Sequence, residues 1–198
     1  LMLPQLVLQP EIRAEDFVLE RQVVLEELAQ SEDQPEEQAF QQLLALACGE
    51  HAYGRPILGV REQLLQQTPQ QMLAFQQRHY RAQTCAVSLS GGFDLGHVQQ
   101  LREASPFAEL PGTTGIDPQQ PGLKVQPGVH ALELPRLESA RLLMLWSAPP
   151  AKEMLALSGT DLVTTVLAEG RSSRLVRCLR EEKQVVESID MDVHALEQ

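Results

Sequence analysis

The chain has 198 residues, 16 Lys+Arg against 27 Asp+Glu for a formal charge of −11, with 43% hydrophobic, 22% charged and 4% aromatic residues. This composition excludes a disordered chain and provides for a real core; the few, scattered basic residues exclude a phosphate-neutralising nucleic-acid binder. No run approaches the roughly 20 apolar residues of a membrane-spanning helix, so membrane insertion is excluded too.

The chain opens at Leu1 rather than Met and shows no charged segment followed by an apolar one, so the natural N-terminus is expected upstream. Cys48, Cys85 and Cys178 are an odd number without CxxC spacing, which points to buried free thiols in a reducing compartment, the cytoplasm being favoured, rather than to a disulfide framework or a zinc knuckle.

In chain order, Glu15 to about Gln30 carries good helix formers with Phe17, Val24 and Leu28 on one face. The charge is concentrated here: residues 1–37 hold ten Asp/Glu against Arg13 and Arg21, a net −8, and everything after carries −3. A second helix is expected from Pro35, a favoured first-turn residue, to about Gly49, followed by a loop at His51–Pro56. Short helices follow at 60–66 and, after Thr68 as N-cap and Pro69, to about His79. Residues 84–90 read as a strand closed by Gly91-Gly92 and leading into a helix from Asp94 to Leu101. Between Phe107 and Gly128 prolines and glycines crowd together as in a linker. After it, 130–135 and 140–147 read as strands, 152–168 and 173–183 as helices, and 185–193 as the start of another strand.

At about 100° per residue, Glu20 and Glu27 fall within roughly 20° of one another on the first of these helices, between the directions of Val23 and Val24. A carboxylate on a buried face is costly unless it is paired or bound to a metal, which makes Glu27 a ligand candidate. Glu20 lies two turns, about 10.5 Å, along the same face, too far to share an ion. The alternative is the solvated edge of an amphipathic helix, and periodicity does not decide between the two. His51, His79, His97, His130 and His194 are isolated, with no HxxH, HxxEH or HExxH pair, so this chain alone cannot supply the three ligands of a catalytic zinc site. Arg171, Arg174, Arg177 and Arg180 recur every three residues. They read either as a solvated face answered by Glu181 and Glu182 or as a cationic surface that meets peptide carboxylates or an acidic neighbour.

Four stretches together point to a family. The segment Phe17-Val-Leu-Glu-Arg-Gln-Val-Val-Leu-Glu-Glu-Leu28 resembles the ER-V-V-EE helix of the pitrilysin/insulinase zinc metallopeptidases, especially their processing-peptidase-like branch. In the family's order, His51-Ala-Tyr-Gly-Arg-Pro-Ile-Leu-Gly59 resembles its HPYGRPILG loop and Ser90-Gly-Gly-Phe-Asp94 its G-D-F-D strand end. Gly170-Arg-Ser-Ser-Arg-Leu175 with Leu179-Arg-Glu181 is similar to its G-SSRL…LRE segment.

The resemblance implies an α+β processing-peptidase/LuxS-like fold, an antiparallel sheet with packed helices, running from the end of one domain into the start of a second, homologous one. Residues 1–110 would be the latter part of the first domain, 111–128 the linker, and 129–198 the first part of the second. It implies Zn²⁺ held by an inverted HxxEH motif upstream of Leu1 and by Glu27, with Glu20 as the accompanying acid. The metal would polarise the scissile carbonyl and acidify its bound water while the upstream Glu shuttles protons. Arg180 matches the Arg of a substrate-contacting Arg/Tyr pair, but Glu187 stands where the Tyr would be. The implied activity is metalloendopeptidase cleavage of peptides or unfolded polypeptides enclosed between two halves, as a homodimer or paired subunit, with this piece alone inactive. The rival is a non-catalytic peptide-binding or partner subunit, and a third reading is a small acidic scaffold domain.

Overall fold

A computed structural model describes residues 2–112 and 122–195. Its regular elements are helical: α1 (Met2–Leu8), α2 (Ala14–Glu32), α3 (Pro35–Cys48), α4 (Arg61–Gln66), α5 (Pro69–His79), α6 (Leu95–Glu103) and α7 (Met154–Ala168), with 3-10 turns at Ala52–Gly54 and Pro106–Glu109 and a π-helical segment at Val176–Glu182. None of these helices is long and apolar enough to cross a membrane. Of the expected linker 111–128, residues 113–121 lie outside the described residues.

The chain divides into two compact units that interleave in sequence. The first takes Leu1–Gln38, Arg55–Gln120 and Leu134–Leu137, and the second Ala39–Gly54, Pro121–Glu133 and Glu138–Gln198.

In the first unit the helix boundaries follow local chemistry. Pro69 opens α5 behind Thr68, whose hydroxyl accepts from the Gln71 N–H at 3.2 Å while the Gln71 side chain accepts from the Thr68 N–H at 2.9 Å, a closed capping box. Asp94 caps α6 in the same way, accepting from the His97 N–H at 3.0 Å. α2 packs on α4, and Leu25 and Leu28 of α2 are buried. Arg21 reinforces the contact: its guanidinium donates to the Leu65 and Gln67 carbonyls at 3.2 and 3.3 Å and lies 5.6 Å from the centre of the Phe17 ring. α1 and α6 both pack on the turn Pro106–Glu109. Gln76 of α5 donates to the Leu8 carbonyl that ends α1, at 3.0 Å.

In the second unit α7 buries Thr164 and Ala168, and the chain after it buries Ser173 and Val176. The Ser173 hydroxyl donates to the Gly170 carbonyl at 2.8 Å where Gly170 turns through φ +74°, a conformation glycine adopts without steric cost. The π-helical segment closes when the Lys183 N–H donates to the Cys178 carbonyl and the Val185 N–H to the Leu179 carbonyl, both at 3.0 Å, with Gln184 left-handed at φ +53°. The three cysteines are free thiols, and burial raises the pKa of Cys48.

The expected α+β fold with an antiparallel sheet is overturned, because the described residues contain no strand. Every segment read as a strand has the composition of one, but a strand exists only where its N–H and C=O groups find a second chain segment. Residues 84–90 begin instead as a turn. The Thr84 and Cys85 N–H groups donate to the Arg81 carbonyl at 3.1 Å, and the Thr84 hydroxyl donates to the His79 carbonyl at 2.6 Å. Residues 140–147 make no ladder with another described segment, and Leu142 and Trp146 are 81% and 63% exposed. Val185, the expected start of the last strand, is tied back to the π-helical segment.

The capping box sets the start of α5, so Thr68→Ala should destabilise the chain by about 1 kcal/mol, read as a lower urea midpoint with an unchanged slope, whereas Thr68→Ser should retain most of the stability.

Candidate functional site

α2 carries seven acidic residues counting its C-cap, and the structure sorts them into two groups. Asp16 pairs with Arg13 at 2.7 Å, and Glu15 lies 3.9 Å from the same guanidinium. Glu26 accepts from Gln22 at 3.1 Å, Glu32 pairs with Arg61 at 2.9 Å, and Asp33 pairs with Arg136 at 2.7 Å. Glu20 and Glu27 have neither a cation nor a hydrogen-bond donor among the described residues. They are the two carboxylates singled out by the sequence.

Their surroundings differ from the expectation of an apolar, buried side. The buried stripe of α2 runs through Leu25 and Leu28, with Phe17, Arg21 and Val24 half-buried. Glu20 and Glu27 are exposed, and Val23 between them is 57% exposed. The face they share is thus an open patch of mixed acidic and apolar character.

The described residues do not by themselves fit a zinc ion, because no group of three or more His, Cys, Asp or Glu is placed to hold a metal. Glu27 offers one carboxylate, short of the three protein ligands that a catalytic zinc needs. His51 is engaged within its own loop, where its Nδ1 accepts from the Tyr53 N–H at 3.3 Å and its ring meets the Tyr53 ring edge-on at 4.7 Å. That loop is tightly closed. A Cβ on Gly54 would come within 2.5 Å of the Gly49 carbonyl oxygen, so the glycine in His51-Ala-Tyr-Gly54 is a steric requirement.

In the second unit, the basic cluster is answered unevenly. Arg180 pairs with Glu181 at 3.4 Å, Arg171 reaches the same carboxylate at 3.7 Å, and Arg177 reaches Glu182 at 3.5 Å. Arg174 has no carboxylate partner among the described residues and lines one hollow with Leu162, Val163, Val166 and Leu167. Sequence reasoning grouped the four arginines as one face and did not separate Arg174. The signal was present in the spacing of Leu155, Leu162 and Val166, which places an apolar stripe along α7 beside it. Arg180 and Glu187 are both exposed, with Arg180 already committed to Glu181.

With this geometry in hand, comparison with known proteins gives the class. Residues 67–198 match the family described as "Peptidase M16 inactive domain". The chain therefore belongs to the M16 peptidase family, the pitrilysin/insulinase family whose motifs its sequence carries. It is 28% identical over 190 residues to an uncharacterized zinc protease of Mycobacterium leprae (strain TN), covering 95% of this chain and 42% of that protein. Against an uncharacterized zinc protease of Mycobacterium tuberculosis (strain ATCC 25618 / H37Rv) it is 27% identical over 189 residues, covering 95% and 43%. An uncharacterized zinc protease of Rickettsia felis (strain ATCC VR-1525 / URRWXCal2) is 27% identical over 177 residues, covering 89% and 42%. The chain thus spans less than half the length of these curated relatives. Glu20 and Glu27 precede the segment that matches the inactive domain, whereas Arg174 and Arg180 fall within it.

The Ser90–Asp94 segment ends in a titratable cap. The His97 backbone N–H and the His97 charge, with its Nδ1 2.9 Å from Asp94 Oδ1, lower the Asp94 pKa below its ordinary value. A lowered folded value means that the cap contributes stability above the unfolded carboxylate pKa of about 3.9, and that this contribution is lost as pH falls through the folded value. Asp94→Asn should remove that acid-side loss from the helical signal, and NMR titration of the Asp94 carboxyl in His97→Ala should show its pKa returning upward.

Proposed function

We propose that this chain is part of a zinc-dependent metalloendopeptidase acting on peptides or unfolded polypeptides, in which Glu27 is a metal ligand and Glu20 its supporting acid. The observation that carries this reading is the sorting of charges on α2. Five of its seven acidic groups are answered by Arg or Gln side chains, and the two left open are those that the family's helix motif marks. The names of the relatives support the same class.

Because Glu27 is the one donor of that motif in this chain, the remaining ligands belong to another part of the protein. The Zn²⁺ is accordingly a property of the longer polypeptide. Substrate chains would lie between two halves, in a homodimer or a paired subunit, with Arg180 contacting substrate from the second unit. Its pairing with Glu181 and the presence of Glu187 where the family has Tyr weaken that contact. The same two features favour a second reading, a non-catalytic peptide-binding partner subunit, which the description of residues 67–198 as an inactive domain also supports.

Two measurements test the reading. In the longer protein Glu27→Gln should lower bound zinc by at least about tenfold, whereas Glu26→Gln, one residue away on a different face, should leave it unchanged. Metal analysis showing full occupancy in Glu27→Gln would refute the ligand assignment. The 198-residue chain alone should hydrolyse no peptide with or without added zinc, and zinc-dependent cleavage by the purified chain would overturn the division of ligands.

A further inference from the structure

We infer that the exposed apolar side chains of both units are the inner surface of a larger core, which the rest of this chain's own polypeptide completes and a second copy of the chain does not. This goes beyond the peptidase reading and does not depend on Glu27 holding a metal.

Folding removes surface from water to an extent that chain length sets. Two separate folded domains of about half this length would together expose roughly 11,200 Å². The 198-residue chain, in its two units, exposes 15885 Å². About 4,600 Å² more therefore stays in water than two complete domains would leave. The interior shows the same deficit. Among the described residues no large side chain is fully buried, and the buried large aliphatic ones are Leu25, Leu28 and Val176. Single exposed apolar residues are ordinary on any protein. Here they recur on the elements of both units, with Leu19 on α2 and Phe75 on α5 in the first, and Trp146 and Leu155 of α7 in the second. What is uncovered is the general apolar content of the chain and not one face.

The size and spread of the surplus select what covers it. An obligate homodimer interface of roughly 2,000–5,000 Å² is shared by both chains, so it takes about 1,000–2,500 Å² from each. A second copy would leave about half of the surplus in water, and it would cover one patch. The remainder of the same polypeptide has no such limit. The chain matches 42% of the Mycobacterium leprae relative and 43% of the Mycobacterium tuberculosis one, so in those proteins more chain lies outside the match than inside it. A covalently continuous segment packs at high effective concentration and avoids the cost of bringing a free partner together, so it can line several faces at once.

The test is hydroxyl-radical footprinting, read by mass spectrometry, of the longer protein and of the 198-residue chain side by side, with added free methionine as the dose standard. Met144, Trp146 and Met154 are 59%, 63% and 71% exposed in the chain and carry side chains that react readily with the radical. In the longer protein they should oxidise at least about fivefold more slowly, in proportion to the surface taken from water. In the 198-residue chain their rates should not change with its concentration. Cys48, which the chain buries by itself, should react slowly in both. Equal rates for Met144, Trp146 and Met154 in the two proteins would overturn the inference. Rates in the 198-residue chain that fall as its concentration rises would overturn it in favour of a second copy. Both arms use unsubstituted protein, so misfolding of a variant cannot conceal the answer.

Discussion

The orientation of α2 rests on Arg21, with the Glu32–Arg61 pair at 2.9 Å as a second tie to α4. The Arg21 guanidinium sits between the Phe17 ring and the carbonyls of Leu65 and Gln67 that end α4. Carbonyls at a helix C-terminus lack partners within the helix and carry the negative end of its dipole, so a cation there satisfies both. Two sequence-distant pieces of chain are thereby pinned, and Leu25 and Leu28 on the same helix are buried. Fixing Arg21 inward fixes Glu20 and Glu27 outward, because rotation about the helix is shared by all its residues.

That rotation gives the acidic surface its meaning. Exposed ion pairs contribute little stability each, so the pairs made by Asp16, Glu32 and Asp33 matter mainly for where they leave charge unanswered. The −8 of the first 37 residues is not a uniform acidic coat. Along α2 it is a set of locally satisfied carboxylates and two unanswered ones, Glu20 and Glu27, on a face that also shows Val23. In the second unit Arg171, Arg177 and Arg180 are answered by neighbouring carboxylates and Arg174 is not.

The motifs shared with the M16 family show their physical reasons locally. In His51-Ala-Tyr-Gly54 the glycine is demanded by the Gly49 carbonyl at its Cα, and His51 is held by the Tyr53 N–H and ring. In Ser90-Gly-Gly-Phe-Asp94 the left-handed Gly91 turns the chain so that Asp94 can cap α6. In Gly170-Arg-Ser-Ser-Arg174 the left-handed Gly170 receives the Ser173 hydroxyl on its carbonyl, which starts the segment bearing the arginines. These are turn and cap devices, and each is complete within a few residues.

Short-range completeness explains what the sequence determined. The expected helices at 15–30, 35–49, 60–66, 69–79, 94–101 and 152–168 are found within a few residues of their bounds, because Pro35, Thr68, Pro69, Asp94 and Gly49 act on their immediate neighbours. The family was legible for the same reason, since its motifs are local. The tertiary structure alone decided what depends on distant partners. Residues 84–90, 140–147 and 185–193 have the side chains of strands, yet pairing requires a second segment at the right distance, and composition carries no information about that. The 3.6-residue period gathered Glu20 and Glu27 on one face but could not say whether that face is covered. Arg21, reaching 44 residues along the chain to Leu65, decided that it is not.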